Sequence, residues 1–221
     1  MVELTLIERI VVSKDWATLI FLLSFSIIAA NRNLYEIRFS EFLKLGYSTK
    51  YIKIYKDTSN LRNSFTLSFF FIQIVSGTFF IQICMKSFGY IPEYSFNSFL
   101  RILNFVSFFI LSKYLIEKIV ATTFRIEEFV EQFNLQKVNY RNFISMLILP
   151  IVLVLFYNDI DNKIPLYVIM FALLATNVFL YIFFLKNYQK AIMSKLFYFI
   201  LYLCTLEIAP YFFLYYWFTK S

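Results

Sequence analysis

The sequence predicts an all-α protein, a polytopic membrane helical bundle of about six transmembrane helices accompanied by interfacial amphipathic helices. Three observations predict this fold class. Hydrophobic residues make up 60% of the 221 residues, and only 16% are charged. The mean hydropathy of +0.67 lies well above that of water-soluble domains. The apolar residues also form runs of about 20, the length that an α-helix needs to cross a bilayer. Residues 1–221 are therefore expected to form a single integral membrane domain.

The amino-terminal segment, residues 1–15, is expected to lie on the membrane surface as a short helix, because Leu6 and Ile10 fall opposite Glu8 and Arg9. A cleaved signal peptide is the competing interpretation. The segment carries three acids and two bases, whereas a signal peptide needs a positively charged start. An uncleaved first span is therefore favoured.

Six segments are expected to cross the membrane. They comprise residues 16–31, 64–84, 98–120, 142–157, 164–185 and 196–218. The first begins at Trp16, a residue type that marks the membrane interface, and the second is uncharged. The third is the least regular, because Lys113 and Glu117 interrupt it; spaced four apart, they can pair on one helical face. The fourth contains Pro150 as an expected kink, and Pro165 begins the fifth.

The linker over residues 32–63 is basic and is expected at the cytoplasmic surface, where anionic headgroups attract cations. Its seven cations are Arg32, Arg38, Lys44, Lys50, Lys53, Lys56 and Arg62. Tyr35, Phe39 and Phe42 follow helical spacing, so part of the linker is predicted to be an amphipathic helix resting on the membrane. A plain solvated loop is the alternative.

Lysine and arginine distribution predicts the orientation. Fourteen of the 21 lie in the loops after the first, third and fifth predicted spans, five lie in the opposite loops and termini, and two lie within a span. Basic residues accumulate on the cytoplasmic side of inner-membrane proteins. Both termini are therefore predicted on the periplasmic side.

The sequence contains no recognisable catalytic constellation. It has no histidine, no G-x-S-x-G, no phosphate-binding glycine loop and no CxxC pair. We therefore expect no catalytic residue, metal or cofactor and favour a non-enzymatic protein. The net charge of +7 is better explained by anionic lipid headgroups than by nucleic acid, since most cations lie in loops between spans.

Glu207, near the middle of the sixth predicted span, is the residue whose chemistry matters most. An ionised carboxylate there costs at least about 2.5 kcal/mol, so it must be neutral, paired or beside a wet cavity. Pro210 frees the carbonyl group of Leu206 beside it. Three interpretations remain open: hydrogen bonding within the bundle, a proton- or cation-linked site with Lys113 as the counter-charge, and contact with a partner subunit. The candidate hydrogen-bond partners within the bundle are Gln73, Asn104 and Asn177.

A resemblance adds to this interpretation. The tail LFYFILYLCTLEIAP and the Asp15-Trp16 pair resemble a family of Bacteroidota polytopic inner-membrane proteins known only as a domain of unknown function. The tail residues that carry the resemblance are Tyr202, Leu203, Cys204, Leu206, Glu207 and Pro210. The resemblance implies an inner-membrane location and no known activity. The same phylum carries gliding motility and type IX secretion, so it also implies an accessory role in such machinery.

The leading hypothesis is a non-enzymatic inner-membrane subunit or assembly factor of a cell-envelope complex, with membrane-protein partners and no nucleic acid. The alternative is a proton- or cation-coupled transporter or energy-coupling subunit that uses Glu207.

Overall fold

The computed structural model describes residues 14–48, 50–55, 63–123, 127–158 and 164–187, and these residues contain helices and no strand. The helices are α1 (Asp15–Leu34), α2 (Glu36–Leu43), α3 (Lys50–Ile54), α4 (Ser64–Ser87), α5 (Phe96–Thr123), α6 (Glu127–Tyr157) and α7 (Ile164–Asn187). A 3-10 turn over Lys44–Gly46 follows α2. The all-α class predicted from sequence is confirmed.

In the described part of the chain, four helices are long and apolar enough to cross a membrane: α1, α4, α5 and the Val130–Tyr157 part of α6. Helix α7 adds a shorter apolar stretch, Ile164–Val178. The sixth predicted span, 196–218, and residues 1–13 of the predicted surface segment lie outside the described residues. The structure therefore supports a membrane protein with four candidate spans.

Helix α6 is longer than the sequence analysis expected. It starts at Glu127, so residues 127–141, which fall between the predicted spans 98–120 and 142–157, form the first turns of the same helix. Val130, Phe133 and Leu135 of this segment are buried. Their burial explains why a stretch rich in polar residues continues the helix.

An aromatic cluster joins four helices at one end of the bundle, which we call the Trp16 end. The ring of Trp16 stacks on Phe79 of α4 at 5.9 Å between centroids and lies 5.4 Å from Phe99 of α5 and 6.0 Å from Phe156 of α6. Phe21 stacks on Phe79 at 4.3 Å. The starts of α1 and α5 therefore meet the ends of α4 and α6, and these helices alternate in direction.

The opposite end, which we call the Arg38 end, holds a second aromatic cluster. The ring of Phe42 in α2 lies 5.5 Å from Phe65, 4.8 Å from Phe69 and 5.8 Å from Phe143. The apolar face of α2 thus packs against α4 and α6. The predicted amphipathic helix forms, but these rings cover its apolar face, whereas the sequence analysis placed that face on the membrane.

Buried polar side chains between the long helices are bonded inside the protein. Ser24 donates to the carbonyl of Ile20 at 2.8 Å, which keeps its hydroxyl satisfied within α1. The Asn31 amide donates to the Ser68 hydroxyl at 2.7 Å and joins α1 to α4. Such bonding is required where lipid offers no partner.

The Trp16 cluster makes a direct stability prediction. Phe79→Ala, at a fully buried position, should lower the free energy of unfolding by about 3 kcal/mol, because it leaves a cavity among four rings. Phe71→Ala is the matched control on the same helix, since Phe71 is 41% exposed, and it should change stability by less than about 0.5 kcal/mol. SDS titration in mixed bicelles measures both. Equal losses would show that the cluster does not hold the helices together.

Candidate functional site

A cavity of about 660 Å³ lies between α4, α5, α6 and α7, and we call it the basic cavity. Helix α4 lines it with Gln73 and Gly77, α5 with Lys113 and Glu117, and α7 with Asn177. A methyl group added at Gly77 would meet nothing within 4 Å. The missing side chain at this position therefore leaves open space beside α4.

Charge in the basic cavity is unbalanced. Its charged lining residues are Lys113, Glu117, Lys118, Lys137 and Arg141. Four cations thus face one carboxylate among the described lining residues. A concave site lined by one sign of charge concentrates its potential, so this site favours an anionic group.

The carboxylate of Glu117 forms a buried ion pair with Lys137. The Lys137 ammonium donates to Glu117 Oε1 at 3.2 Å, and the two side chains are 8% and 4% exposed. The ammonium also lies 5.1 Å from the centre of the Phe133 ring. Because an unpaired buried charge is costly, the pair fixes α5 against α6.

Carboxamides supply the other polar groups of the basic cavity. The Asn177 amide nitrogen donates to the carbonyl of Leu173 at 2.8 Å, within its own helix. The buried Asn134 Oδ1 atom has no hydrogen-bond partner among the described residues. A buried acceptor without a donor is unusual in proteins, so Asn134 is a polar residue of the cavity wall that no described donor satisfies.

Arg38 is not the membrane-surface cation that the sequence predicted, because it is only 6% exposed. Its Nε atom donates to the Tyr51 hydroxyl at 3.2 Å, and its guanidinium carbon lies 4.6 Å from the Tyr55 ring and 4.8 Å from the Phe65 ring. Burial raises the pKa of Tyr51 although Arg38 opposes this, so the phenol stays neutral. Arg38 therefore joins α2 to α3 and α4.

The other linker cations differ in their surroundings. Arg32 is exposed, whereas Lys44 and Lys50 lie 3.3 and 3.5 Å from the Glu41 carboxylate. Desolvation acts to raise the pKa of Glu41, but the two adjacent ammonium groups outweigh it and hold that pKa below its usual value. The side chain of Lys53 and the whole of Lys56 and Arg62 lie outside the described part of the chain. Part of the basic charge of the linker is therefore neutralised within the protein.

The basic cavity brings together four of the six residues singled out within the predicted spans: Gln73, Lys113, Glu117 and Asn177. The remaining two, Glu207 and Pro210, lie outside the described residues.

Sequence reasoning missed Lys137 because this residue falls between the predicted spans 98–120 and 142–157. The spacing of polar residues in this part of the sequence could have identified it. Asn134, Lys137 and Arg141 recur at intervals of three and four and line the same cavity once α6 is extended back to Glu127.

The polar groups that line the basic cavity are suited to binding an anionic or hydrogen-bonding group. Among the described residues, no group of three or more histidine, cysteine, aspartate or glutamate side chains could hold a metal ion. The cavity offers ammonium, guanidinium and carboxamide groups above an apolar lining. This set can bind and orient an anionic or hydrogen-bonding group within the membrane.

The Glu117–Lys137 pair predicts strong coupling between the two positions. Glu117→Gln or Lys137→Met alone should cost about 3 kcal/mol of unfolding free energy, because each leaves a buried charge without its partner. The double variant should recover most of that loss. Glu41→Gln, at the more exposed pair with Lys44, is the control and should cost less than about 1 kcal/mol. Additive losses in denaturant titrations of the double-mutant cycle would contradict the pairing.

Comparison with known proteins assigns the chain to a family. No curated protein and no solved structure shows detectable similarity to it. A family model described as a domain of unknown function matches residues 17–218, which include nearly all of the helices described above. The chain therefore belongs to the family described as Domain of unknown function (DUF4271).

Proposed function

We propose that this protein is a non-enzymatic inner-membrane subunit or assembly factor of a cell-envelope membrane complex, of the kind that secretion or gliding machinery contains. The observation that carries the proposal is the outward face of α5. Of the 18-residue stretch of this helix that is apolar enough to cross a membrane, only 6% is buried within the protein.

The exposed face of α5 is a stripe formed by Arg101, Asn104, Phe108 and Ile119, which we call the α5 stripe. All four are exposed, and Phe108 and Ile119 are 72% and 65% exposed. At 100° per residue, the stripe lies on the opposite side of α5 from Lys113 and Glu117. Helix α5 therefore presents polar groups on two opposite faces.

Lipid cannot satisfy the polar part of the α5 stripe. A helix of 28 residues is about 42 Å long and exceeds the hydrocarbon core, of about 30 Å, by about 6 Å at each end when centred. Asn104 then lies about 12 Å along the axis, within the hydrocarbon. Arg101 can extend to the interface, but the short carboxamide of Asn104 cannot. A hydrogen-bonding helix of another protein satisfies it.

The partner proposed for the α5 stripe is a membrane helix that carries a carboxylate or carboxamide. Such a group accepts hydrogen bonds from both the Arg101 guanidinium and the Asn104 amide. The apolar rings and branched side chains along the rest of the stripe pack against the same helix.

The proposed topology has six spans with both termini in the periplasm of a double-membraned bacterium. Three features support it: the distribution of lysine and arginine, the alternating direction of the long helices, and the position of the basic linker at the Arg38 end. The Arg38 end is then cytoplasmic. A reporter fused after Ser221 that is active only in the periplasm tests this topology.

The α5 stripe gives a test that separates a protein partner from lipid. Asn104→Leu makes the helix more compatible with lipid and should leave the folded protein intact, but it should abolish co-purification of the partner from mild detergent. Ser26→Leu is the matched control, because Ser26 is also exposed on a candidate span and bonds only within its own helix. The proposal would be wrong if the protein always purified alone, or if both variants recovered equal amounts of the partner.

The alternative function is a proton- or cation-coupled transporter or energy-coupling subunit, and the basic cavity favours it. The cavity gathers Gln73, Lys113 and Asn177, three of the groups proposed around Glu207. Ion-coupled proteins place such groups beside a membrane carboxyl group.

Two substitutions at Glu207 separate the two functions. If the acid only bonds the bundle together, Glu207→Gln keeps function and Glu207→Ala loses assembly, because glutamine preserves hydrogen bonding. If both variants assemble and Glu207→Gln is inactive, proton or ion chemistry is supported. Assembly is measured by size-exclusion chromatography, and function by complementation of a deletion strain.

A further inference from the structure

We propose that the basic cavity binds one anionic phospholipid, with the phosphate at the cation-rich end of the cavity and one acyl chain along its apolar part. Basic pockets between membrane helices are suited to anionic headgroups. The cavity and the α5 stripe lie on different faces of α5, so this site does not rest on the partner proposed for the stripe.

The cations of the basic cavity outnumber its carboxylate even when the buried ion pair is set aside. Lys137 is bonded to Glu117 at 3.2 Å, so these two charges offset each other. The lining also contains Lys113, Lys118 and Arg141. Lys118 and Arg141 take part in no ion pair among the described residues. A phosphate diester offers an anionic group with several acceptor oxygens, which ammonium and guanidinium groups bind well.

Two of these cations lie at the same depth, near the Arg38 end. Helices α4 and α5 run in opposite directions, and the rings of Phe79 and Phe99 lie 4.6 Å apart. Thr66 lies thirteen residues before Phe79 and Lys113 lies fourteen residues after Phe99, so each is about 20 Å from this contact. The side-chain amide of the residue after Arg141 donates to the Thr66 carbonyl at 3.3 Å. Lys113 and Arg141 are therefore level with the first turn of α4.

The deeper part of the basic cavity is mostly apolar. Towards the Trp16 end its lining contains Phe80, Val106, Phe109, Ile148 and Leu173. Thr66 and Phe80 both line the cavity and lie fourteen residues apart on α4, or about 21 Å. The hydrocarbon of one leaflet is about 15 Å deep, half of the bilayer core. The cavity is therefore deep enough for an acyl chain beyond the cations, whereas a free phosphate ion needs only the charged end.

Gln73 places a polar group between the charged and the apolar parts. It lies seven residues after Thr66, about 10 Å deeper in the cavity. Side chains on a helix lean towards its first residue, so Gln73 leans towards the cations. Its amide nitrogen can donate to an ester carbonyl, the group that joins the headgroup to an acyl chain. Asn177, the other carboxamide at mid-depth, is already bonded within its own helix at 2.8 Å. Polar and apolar groups thus follow the same order along the cavity as along a phospholipid.

The volume and the opening of the basic cavity fit part of a lipid. Its volume of about 660 Å³ lies within the range of small-molecule sites, about 300 to 1,000 Å³. Leu67, Leu111 and Leu115 line the cavity and are 54%, 53% and 57% exposed. All three lie on candidate membrane spans, so the cavity opens sideways towards the bilayer. A phospholipid can enter there and leave its second chain outside, among other lipids.

Lipid binding is measured with the full-length protein. Protein stripped of lipid in detergent is titrated with dioleoyl phosphatidylglycerol, and the rise in the thermal unfolding midpoint gives an apparent affinity. Dioleoyl phosphatidylcholine has the same chains without the net charge, and glycerol 3-phosphate has the phosphate without the chains. We expect phosphatidylglycerol to bind at least fivefold more tightly than phosphatidylcholine, and glycerol 3-phosphate to leave the midpoint unchanged. Native mass spectrometry of the protein from mild detergent should show one retained phospholipid.

Arg141→Gln and Lys118→Gln test the charged end of the cavity. Each should weaken the apparent affinity for phosphatidylglycerol about fivefold, the factor expected for one cation beside an anionic headgroup. Arg32→Gln is the matched control, because Arg32 is an exposed cation in the last turn of α1 that does not line the cavity. It should change the affinity less than about twofold. Lys118 is exposed, so this variant keeps the test valid if Arg141→Gln does not fold.

Gly77→Leu tests the apolar part without changing the charge. Gly77 lines the cavity, and a methyl group added there would meet nothing within 4 Å, so a larger side chain occupies the space of the acyl chain. This variant should weaken the binding of phosphatidylglycerol several-fold. Ser26→Leu, at an exposed position of α1, is the control and should bind like the wild type.

Any of five results would overturn the inference, once each variant is shown to unfold like the wild type without lipid. Equal binding of the two phospholipids would mean that the charge is not read. A shift with glycerol 3-phosphate would mean that the site takes a phosphate group alone. Equal losses in Lys118→Gln and Arg32→Gln would assign binding to diffuse surface charge. Wild-type binding by Gly77→Leu would place the chain elsewhere, and a wild type that retains no phospholipid would leave the cavity to another occupant.

Discussion

The packing of α4 against α6 is the interaction on which the rest of the structure depends. At one end the rings of Phe79 and Phe156 lie 5.2 Å apart, and at the other the Asn142 amide donates to the carbonyl of Thr66 at 3.3 Å. Lipid is as apolar as leucine, so hydrophobic burial contributes little between membrane helices. Close ring contacts and a few hydrogen bonds must therefore hold the pair, and α1 and α5 take their positions from α4.

Two buried cations are accommodated by different means, and this difference affects how the basic residues are interpreted. Arg38 lies among aromatic rings and hydroxyl groups, a surrounding that suits a planar, weakly hydrated guanidinium. Lys137 has a compact charge and is bonded to the Glu117 carboxylate. Both lie in loops that the sequence predicts to be cytoplasmic. Lysine and arginine counts predict orientation from many residues together, but they do not identify the cations that hold helices together.

The sequence was most informative where a single physical requirement dominates. Continuous apolar runs predict α1 and α4 because the bilayer demands about 20 such residues. It was least informative over α6, because polar side chains at the start of this helix are buried in the protein, whereas a polar stretch in a membrane protein is usually a loop between spans. Gln73, Lys113 and Asn177 were identified because polar groups are rare within spans. That they line one cavity could not be predicted, and neither could the pairing of Glu117 with Lys137. Both depend on how each helix is rotated about its own axis relative to its neighbours, and the spacing of residues in one sequence does not determine this rotation.

Helix α5 has polar groups on two opposite faces of one candidate membrane span. Lys113 and Glu117 face the basic cavity, while Arg101 and Asn104 lie on the α5 stripe. A single neighbouring helix cannot cover both faces, and the hydrocarbon of lipid satisfies neither. If the stripe binds a helix of another protein, as proposed, the basic cavity stays open to a separate occupant. A subunit role and binding of an anionic group in the basic cavity are therefore compatible, because they use different faces of the same helix.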